Sequence, residues 1–429
     1  MPKLTRALLL LMLVWTPASF ANELSHVYQD ALGNDAEYAA SMANYQAGLE
    51  KLPQARAALL PQIQLAANVL QNRTDSSFAG VQNYRSNSFG VSVTQPLYRQ
   101  ASLTQYAQAK QQLLANNAQL SSKQQDLILR VASAYFDVLL AQDNLHVLQA
   151  QQTAIEQQLA LAKANFTAGT ATITDSDEAR ARFELTQAQL IAVQNDLNIK
   201  QQALSVLTGK PPATLAGLNA QHMLNPVALN QLDAWIADAV QKNPQMQVEQ
   251  ANMNIAEQEI TRARSGHLPT LDAVANYTDN NNQLFGNSLV NTSNANIGLA
   301  LNFPLYQGGL VNSHIREAEA NKDKAQQNLL VIRRQIDLNT RQAAYSINSQ
   351  AAQVTAYTQA VNASLSALES NKLGLTVGIR TNIDVLNAQQ QYYATQRDLA
   401  AARYGYWLAK LRLKANLGSL TETDLNEIN

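Results

Sequence analysis

Residues 208 or 209 positions apart repeat along both halves of this chain. Arg56, Pro61 and Asn68 recur as Arg264, Pro269 and Asn276, each 208 later. Gly90, Pro96, Leu97 and Tyr98 recur at the same offset as Gly298, Pro304, Leu305 and Tyr306. Farther on, Gly169, Thr172 and Asp175 recur as Gly378, Thr381 and Asp384, now 209 later. A repeat this long makes each half one supersecondary unit, so whatever one half folds into, the other folds into as well. The expected division is a leader over 1–21, a first repeat over 22–210 and a linker over 211–230. A second repeat over 231–418 and a tail over 419–429 complete it.

Within each unit the punctuation is sparse. Only 16 glycines and 11 prolines occur in 429 residues, which favours a few very long elements. From about Ala101 to Asn165 there is neither. Leu113, Leu120, Leu127, Ala134, Ala141 and Leu148 recur there at seven, with Val131, Val138 and Leu145 four residues after members of that series. Asn117 and Gln124 take the same offset nearer the start, so a partly polar coiled-coil seam is predicted. At 1.5 Å per residue such a helix is about 100 Å long. Helices are also predicted over about Glu23–Ala57, with a kink near Pro53, then Asp175–Val206, Leu232–Arg264, a long one ending near Lys372, and Asp384 to Gly418.

Between helices the period changes to two. Ile63, Leu65, Ala67 and Val69 alternate with polar or small residues, and Phe89, Val91 and Val93 do the same before Pro96. Leu271, Ala273, Ala275 and Tyr277, then Ile297, Leu299, Leu301 and Phe303, repeat the pattern. Asn72–Ser88 and Asn280–Asn294 are expected to be polar loops. Strands of roughly ten residues with one apolar face have the length and pattern of a tilted membrane-crossing strand. Backbone groups in lipid must all be paired, so an open sheet cannot span, and four strands cannot close. Strands from several chains are therefore required: two chains supply eight, three supply twelve and leave room for a lumen. The same assembly sets the long helices side by side as a tube.

Lys3 and Arg6 precede an apolar run from Ala7 to Trp15 and small residues at Ser19-Phe20-Ala21, the pattern of a secretory leader. The chain has no cysteine, which excludes thiolate chemistry, disulfides and lipidation at an N-terminal Cys. A net charge of −1 gives no reason to expect a nucleic-acid partner. His26, His146, His222, His267 and His314 lack metal-ligand spacing, and no Gly-rich phosphate loop or G-x-S-x-G occurs. No enzyme activity, cofactor or metal is expected.

Four stretches carry a resemblance over essentially the whole mature chain. They are Ser265-Gly266-His267-Leu268-Pro269-Thr270-Leu271-Asp272, Pro304 to Ser313, Ala134-Tyr135-Phe136-Asp137-Val138-Leu139, and Val377 to Leu386. The chain resembles the TolC-type outer-membrane efflux proteins, in their unlipidated branch. The resemblance implies a mainly α fold with a β-barrel: a homotrimeric, twelve-stranded outer-membrane barrel continued by an α-helical periplasmic tunnel. It implies an equatorial band, here Pro211–Asn230 and the tail after Gly418. It also implies an exit duct for efflux, type I secretion or both, serving a periplasmic adaptor (membrane fusion) protein and an inner-membrane pump or ABC-type translocase. Outer-membrane lipid is the remaining partner. The competing reading is a periplasmic coiled-coil scaffold or adaptor without a pore, which would not need the strands.

The turns at Gly169 and Gly378 are where a gate is expected. Thr172 with Asp175, and Thr381 with Asp384, read locally as capping boxes. At the end of a tube, Asp175 and Asp384 from three chains would also form rings of carboxylates that favour cations. Arg380 has Ala171 as its counterpart, so one turn of each pair carries a guanidinium able to bridge to a neighbour. The resemblance implies that Arg380, Asp175 and Gln158 fall at positions whose links keep the periplasmic entrance closed, and that Asp384 belongs to the constriction ring. The chain departs from the family at Leu375, where a Tyr often joins the closing network, and at Asn387, where a second ring Asp is replaced.

Overall fold

The computed structural model describes residues 23–77, 80–211, 215, 217, 225–284 and 288–428. The leader and most of 212–224 therefore lie outside the described residues. Three helices open the chain: α1 (Glu23–Asn34), α2 (Ala36–Leu49) and α3 (Lys51–Ala57). The single helix expected there is broken because the Asp35 carboxylate accepts from the Tyr38 N–H at 2.7 Å and starts α2 afresh. Pro53 kinks nothing. It lies in the first turn of α3, where no intrahelical N–H is needed.

Strands β1 (Gln62–Ser76) and β2 (Gly80–Tyr98) follow, then α4 (Gln100–Thr167) and α5 (Ile173–Thr208). The second half contains α6 (Leu232–Lys242), α7 (Pro244–Arg264), β3 (Thr270–Leu284), β4 (Ser288–Asn302), α8 (Leu310–Thr376) and α9 (Asn382–Asn416). The helix expected over 232–264 is divided at Asn243, which caps α7, with Pro244 in the first helical position. At 68 and 67 residues, α4 and α8 are each about 100 Å long at 1.5 Å per residue. The chain is mainly helical with one sheet.

That sheet is antiparallel in the order β1-β2-β3-β4. Its strands reach well into the segments expected to be loops. Asn72 pairs with Tyr84, and Asn280 with Thr292. The alternation fades there because polar residues such as Asn72, Arg73, Asp75, Asn280 and Asn281 follow one another, while the backbone ladder continues. Nor does Pro96 end β2, which runs on to Tyr98 through a bulge.

Below the upper hairpins and before the bulge, register places odd-numbered apolar residues on one face. Ile63 opposes Val93 and Leu65 opposes Val91; Val91 opposes Tyr277, and Ala273 opposes Leu299. This face is uncovered within the chain, with Ile63 71%, Ile297 87% and Leu299 69% exposed. β1 and β4 each leave one edge of backbone groups unpaired within the chain.

The main core sits far from the sheet, midway along α4. Leu127, Ile128, Val131, Tyr135, Val138 and Leu139 pack there against Leu24 and Tyr28 of α1, Ile347 of α8, Trp407 and Leu411 of α9, and Leu425 and Ile428 of the tail. The heptad seam holds from Leu127 to Leu148. Above it, Leu113 and Leu120 are only half-buried, and the buried stripe runs through Ala109, Ala115 and Ala118. α4 runs beside α7 there, where Gln108 donates to the Ile255 carbonyl at 3.3 Å. Leu420, Leu425 and Ile428 of the tail after Gly418 pack into this core, and so does α1.

Candidate functional site

At the end farthest from the sheet, two helical hairpins meet. In the first, α4 ends and Gly169 turns the chain with φ +75°. The Thr170 N–H and hydroxyl both donate to the Asn165 carbonyl, at 2.9 and 3.1 Å. Thr172 then caps α5. Its hydroxyl accepts from the Asp175 N–H at 3.3 Å, and the Asp175 carboxylate accepts from the Thr172 N–H at 3.0 Å and its hydroxyl at 2.7 Å.

The second hairpin repeats this around Gly378, φ +77°. Asp384 accepts from the Thr381 N–H at 2.9 Å and its hydroxyl at 2.8 Å. These bonds, the backbone one foremost, hold the Asp384 carboxyl below the usual carboxylate range, and the charge on Arg380 adds to the effect. Each aspartate is thus tied down by its own cap. A left-handed residue is required at both turns, and only glycine adopts it without steric cost.

Between the hairpins lies a cleft of about 470 Å³. It gathers Gln158, Thr172, Asp175, Leu375, Gly378, Arg380 and Thr381. Asp384 and Asn387 lie outside it on α9, and Gly169 supports it from the first turn. Gln158 is buried and donates to the side-chain oxygen of Asn382, whose amide donates in turn to the Asp175 carbonyl at 3.4 Å. Arg182 on α5 reaches across to Gln390 at 2.6 Å and Asn387 at 3.1 Å. Below them, Ile155, Leu159, Ala162, Ala179 and Leu386 form a small dry cluster.

Asn382, Arg182 and Gln390 were not singled out from the sequence. Asn382 takes the place of Ile173 in the repeat, so the amide-for-apolar exchange was a visible signal. Arg182 carried none. Arg380 differs from these in making no ion pair, although its charge is felt by Asp384 of the same hairpin. Among the described residues no carboxylate lies within ion-pair distance of its guanidinium, which stays exposed. Leu375 is half-buried and offers no hydrogen bond.

Residues 27–210 and again 235–419 match the profile of one family, described as outer membrane efflux protein. Over 415 residues the chain is 34% identical to outer membrane protein TolC of Vibrio cholerae, across 96% of this chain and 94% of that one. It is 29% identical over 416 residues to the alkaline protease secretion protein AprF of Pseudomonas aeruginosa, across 95% of this chain and 86% of that one. The Campylobacter jejuni CmeC outer membrane channel has the same fold, with a TM-score of 0.81 at 16% identity, covering 94% of this chain and 87% of that chain.

Proposed function

The chain belongs to the outer membrane efflux protein family, and we propose that three copies of it assemble into an exit duct whose periplasmic end is held shut at the helical tips. It is an outer-membrane channel protein. The repeat units at 22–210 and 231–418 would alternate around the duct, joined by the 211–230 linker and the 419–429 tail at the belt. The observation that carries the assembly is the sheet with two unpaired edges. Its apolar face is suited to lipid, yet β1 and β4 of one chain cannot meet. In lipid those edges must be paired, and a further copy of the same sheet offers the complementary edge.

The repeat sets the register of that pairing. β4 stands to β2, and β1 to β3, at the 208-residue offset. Val91 opposes Tyr277 within the chain, so Leu299 opposes Val69 of the partner subunit. Cysteines at Leu299 and Val69, in a chain with no other cysteine, are expected to give disulfide-closed trimers. Cysteines at Leu299 and Ala67, two residues out of register, are expected to link poorly. Absence of any linked species with either pair overturns the assembly.

The gate reading rests on Arg380. With no carboxylate within ion-pair distance among the described residues of its own chain, its guanidinium is free to bridge to a neighbouring tip, where Asp175 is the acid available. Asp384 lies at the ring that lines the opening. Asn387 carries no charge and Leu375 no hydrogen bond, so fewer polar links close this gate than in relatives with Asp and Tyr there. Arg380→Ala or Arg380→Ser is expected to raise single-channel conductance in planar bilayers; unchanged conductance removes Arg380 from the gate.

Export through such a duct needs an energy source elsewhere, so an inner-membrane pump or ABC-type translocase and a periplasmic adaptor are the partners implied. Phe166, Ile173, Leu373, Val377 and Ile379 are exposed around the turns. That apolar rim fits an adaptor docking helix against groove at the tips.

A further inference from the structure

We infer that Gly374 is the residue that positions Arg380 for closure, by leaving the space in which the stem of that arginine lies. This rests on the reading of Arg380 as a closing residue. Gly374 is buried in the last turns of α8. Its backbone is ordinary helix, unlike Gly378, whose φ of +77° demands a glycine. A glycine in a helix interior costs about 1 kcal/mol relative to alanine. The local backbone therefore gives no reason for it.

The reason lies in what passes over it. A β carbon built on Gly374 would stand 2.5 Å from Cγ and 3.2 Å from Cβ of Arg380. Non-bonded carbons do not approach to 2.5 Å, and Cγ can leave that contact only by rotation about the Cα–Cβ bond, which turns the whole guanidinium to another direction, while Cβ, fixed by the backbone, stays at 3.2 Å. The turn is fixed from the same residue. The Gly374 carbonyl accepts from the Ile379 N–H at 3.0 Å and the Arg380 N–H at 3.2 Å. Arg380 is thereby folded back along α8, with its head exposed beside the cleft that holds Asp175 and Gln158.

The first hairpin supplies a control inside the same chain. At the 209-residue offset, Gly374 corresponds to Asn165, Ile379 to Thr170 and Arg380 to Ala171. The Asn165 carbonyl accepts from Thr170 as the Gly374 carbonyl accepts from Ile379. The turns therefore match in backbone. Where the arginine is present its neighbour six residues back is glycine; where alanine stands instead, that neighbour keeps a full side chain. Glycine at this place goes with the arginine and not with the turn.

A double-mutant cycle in planar bilayers tests the assignment. G374A raises the helix propensity of α8, so assembly is expected to persist. G374A is expected to raise single-channel conductance in the same direction as R380A. In the R380A background no γ carbon remains to collide, so G374A is expected to add nothing. N165A, at the equivalent place in the first hairpin, is expected to leave conductance unchanged. If R380A opens the channel while G374A conducts like the parent, the positioning role is overturned and the gate stands. If G374A adds its full effect on top of R380A, it acts through the tip at large, and the role is again overturned. If R380A itself changes nothing, the gate reading fails first.

Discussion

Asp35 and Asn243 occupy the same place in the two repeats, 208 residues apart, and cap α2 and α7 respectively. They are held by different chemistry. Asp35 receives a two-pronged contact from Arg130 at 2.8 and 3.0 Å, and Arg130 also meets Asp126 at 3.2 Å and Glu37 at 3.6 Å. Asn243 caps Gln245 at 2.9 Å and donates to the Asn416 carbonyl at 2.9 Å; Asn416 donates on to the Asn339 carbonyl at 3.1 Å. One joint is an ion cluster and the other a relay of neutral amides. The fold needs a capped helix start tethered sideways to its neighbours, and either chemistry meets that need. What differs is what breaks each joint.

The largest difference is expected from Arg130→Ala. It leaves the Asp35 carboxylate, only 7% exposed, without its counterion. Stranding a buried charge in this way costs about 3 kcal/mol, or roughly a hundredfold in amide protection over the first turn of α2. Hydrogen exchange at Tyr38 and Ala39 reads it, and α7 should not respond. Asn243→Ala removes a cap and one tether and should cost about 1 kcal/mol, seen as several-fold faster exchange at Gln245 while α2 holds.

Acid should separate the joints most gently. The Arg130 guanidinium keeps the Asp35 carboxyl below its ordinary value. Its stabilising contribution is thus present above the unfolded carboxylate range and is lost as pH falls through the lowered folded value. Below about pH 4, α2 should begin to exchange faster while the amide-held α7 keeps its rate. Equal acid sensitivity of the two helices would mean that the ion cluster is not what holds α2.

The same comparison shows what was legible in the sequence. Long helices, the two turns and the lower halves of the strands are readable because apolar residues there have a period: seven along α4 below Leu127, two along Ile63–Val69. The upper hairpins are not. Asn72–Ser76 and Gly80–Ser88, like Asn280–Leu284 and Ser288–Asn294, are strands rich in polar residues, held by backbone bonds that leave no trace in hydropathy. Breaks at Asp35 and Asn243 were missed for a related reason, since a single cap residue interrupts a helix without interrupting its apolar stripe. At the tips, Arg380 stood out as an asymmetry between repeats. Arg182 did not, because its partners Asn387 and Gln390 are brought to it only when the hairpins pack.

One consequence follows from where the main core grips α4. It holds that helix near Val138, leaving a continuous rod of about 40 Å to the turn at Thr167, at 1.5 Å per residue. Such a rod is a lever and the belt is its fulcrum. A tilt of about 10° at the belt would sweep the tip through about 7 Å, given that arm. Side-chain repacking around Tyr135, Trp407 and the tail, too small to alter any helix, would thus be read out at the far end as displacement of the turns.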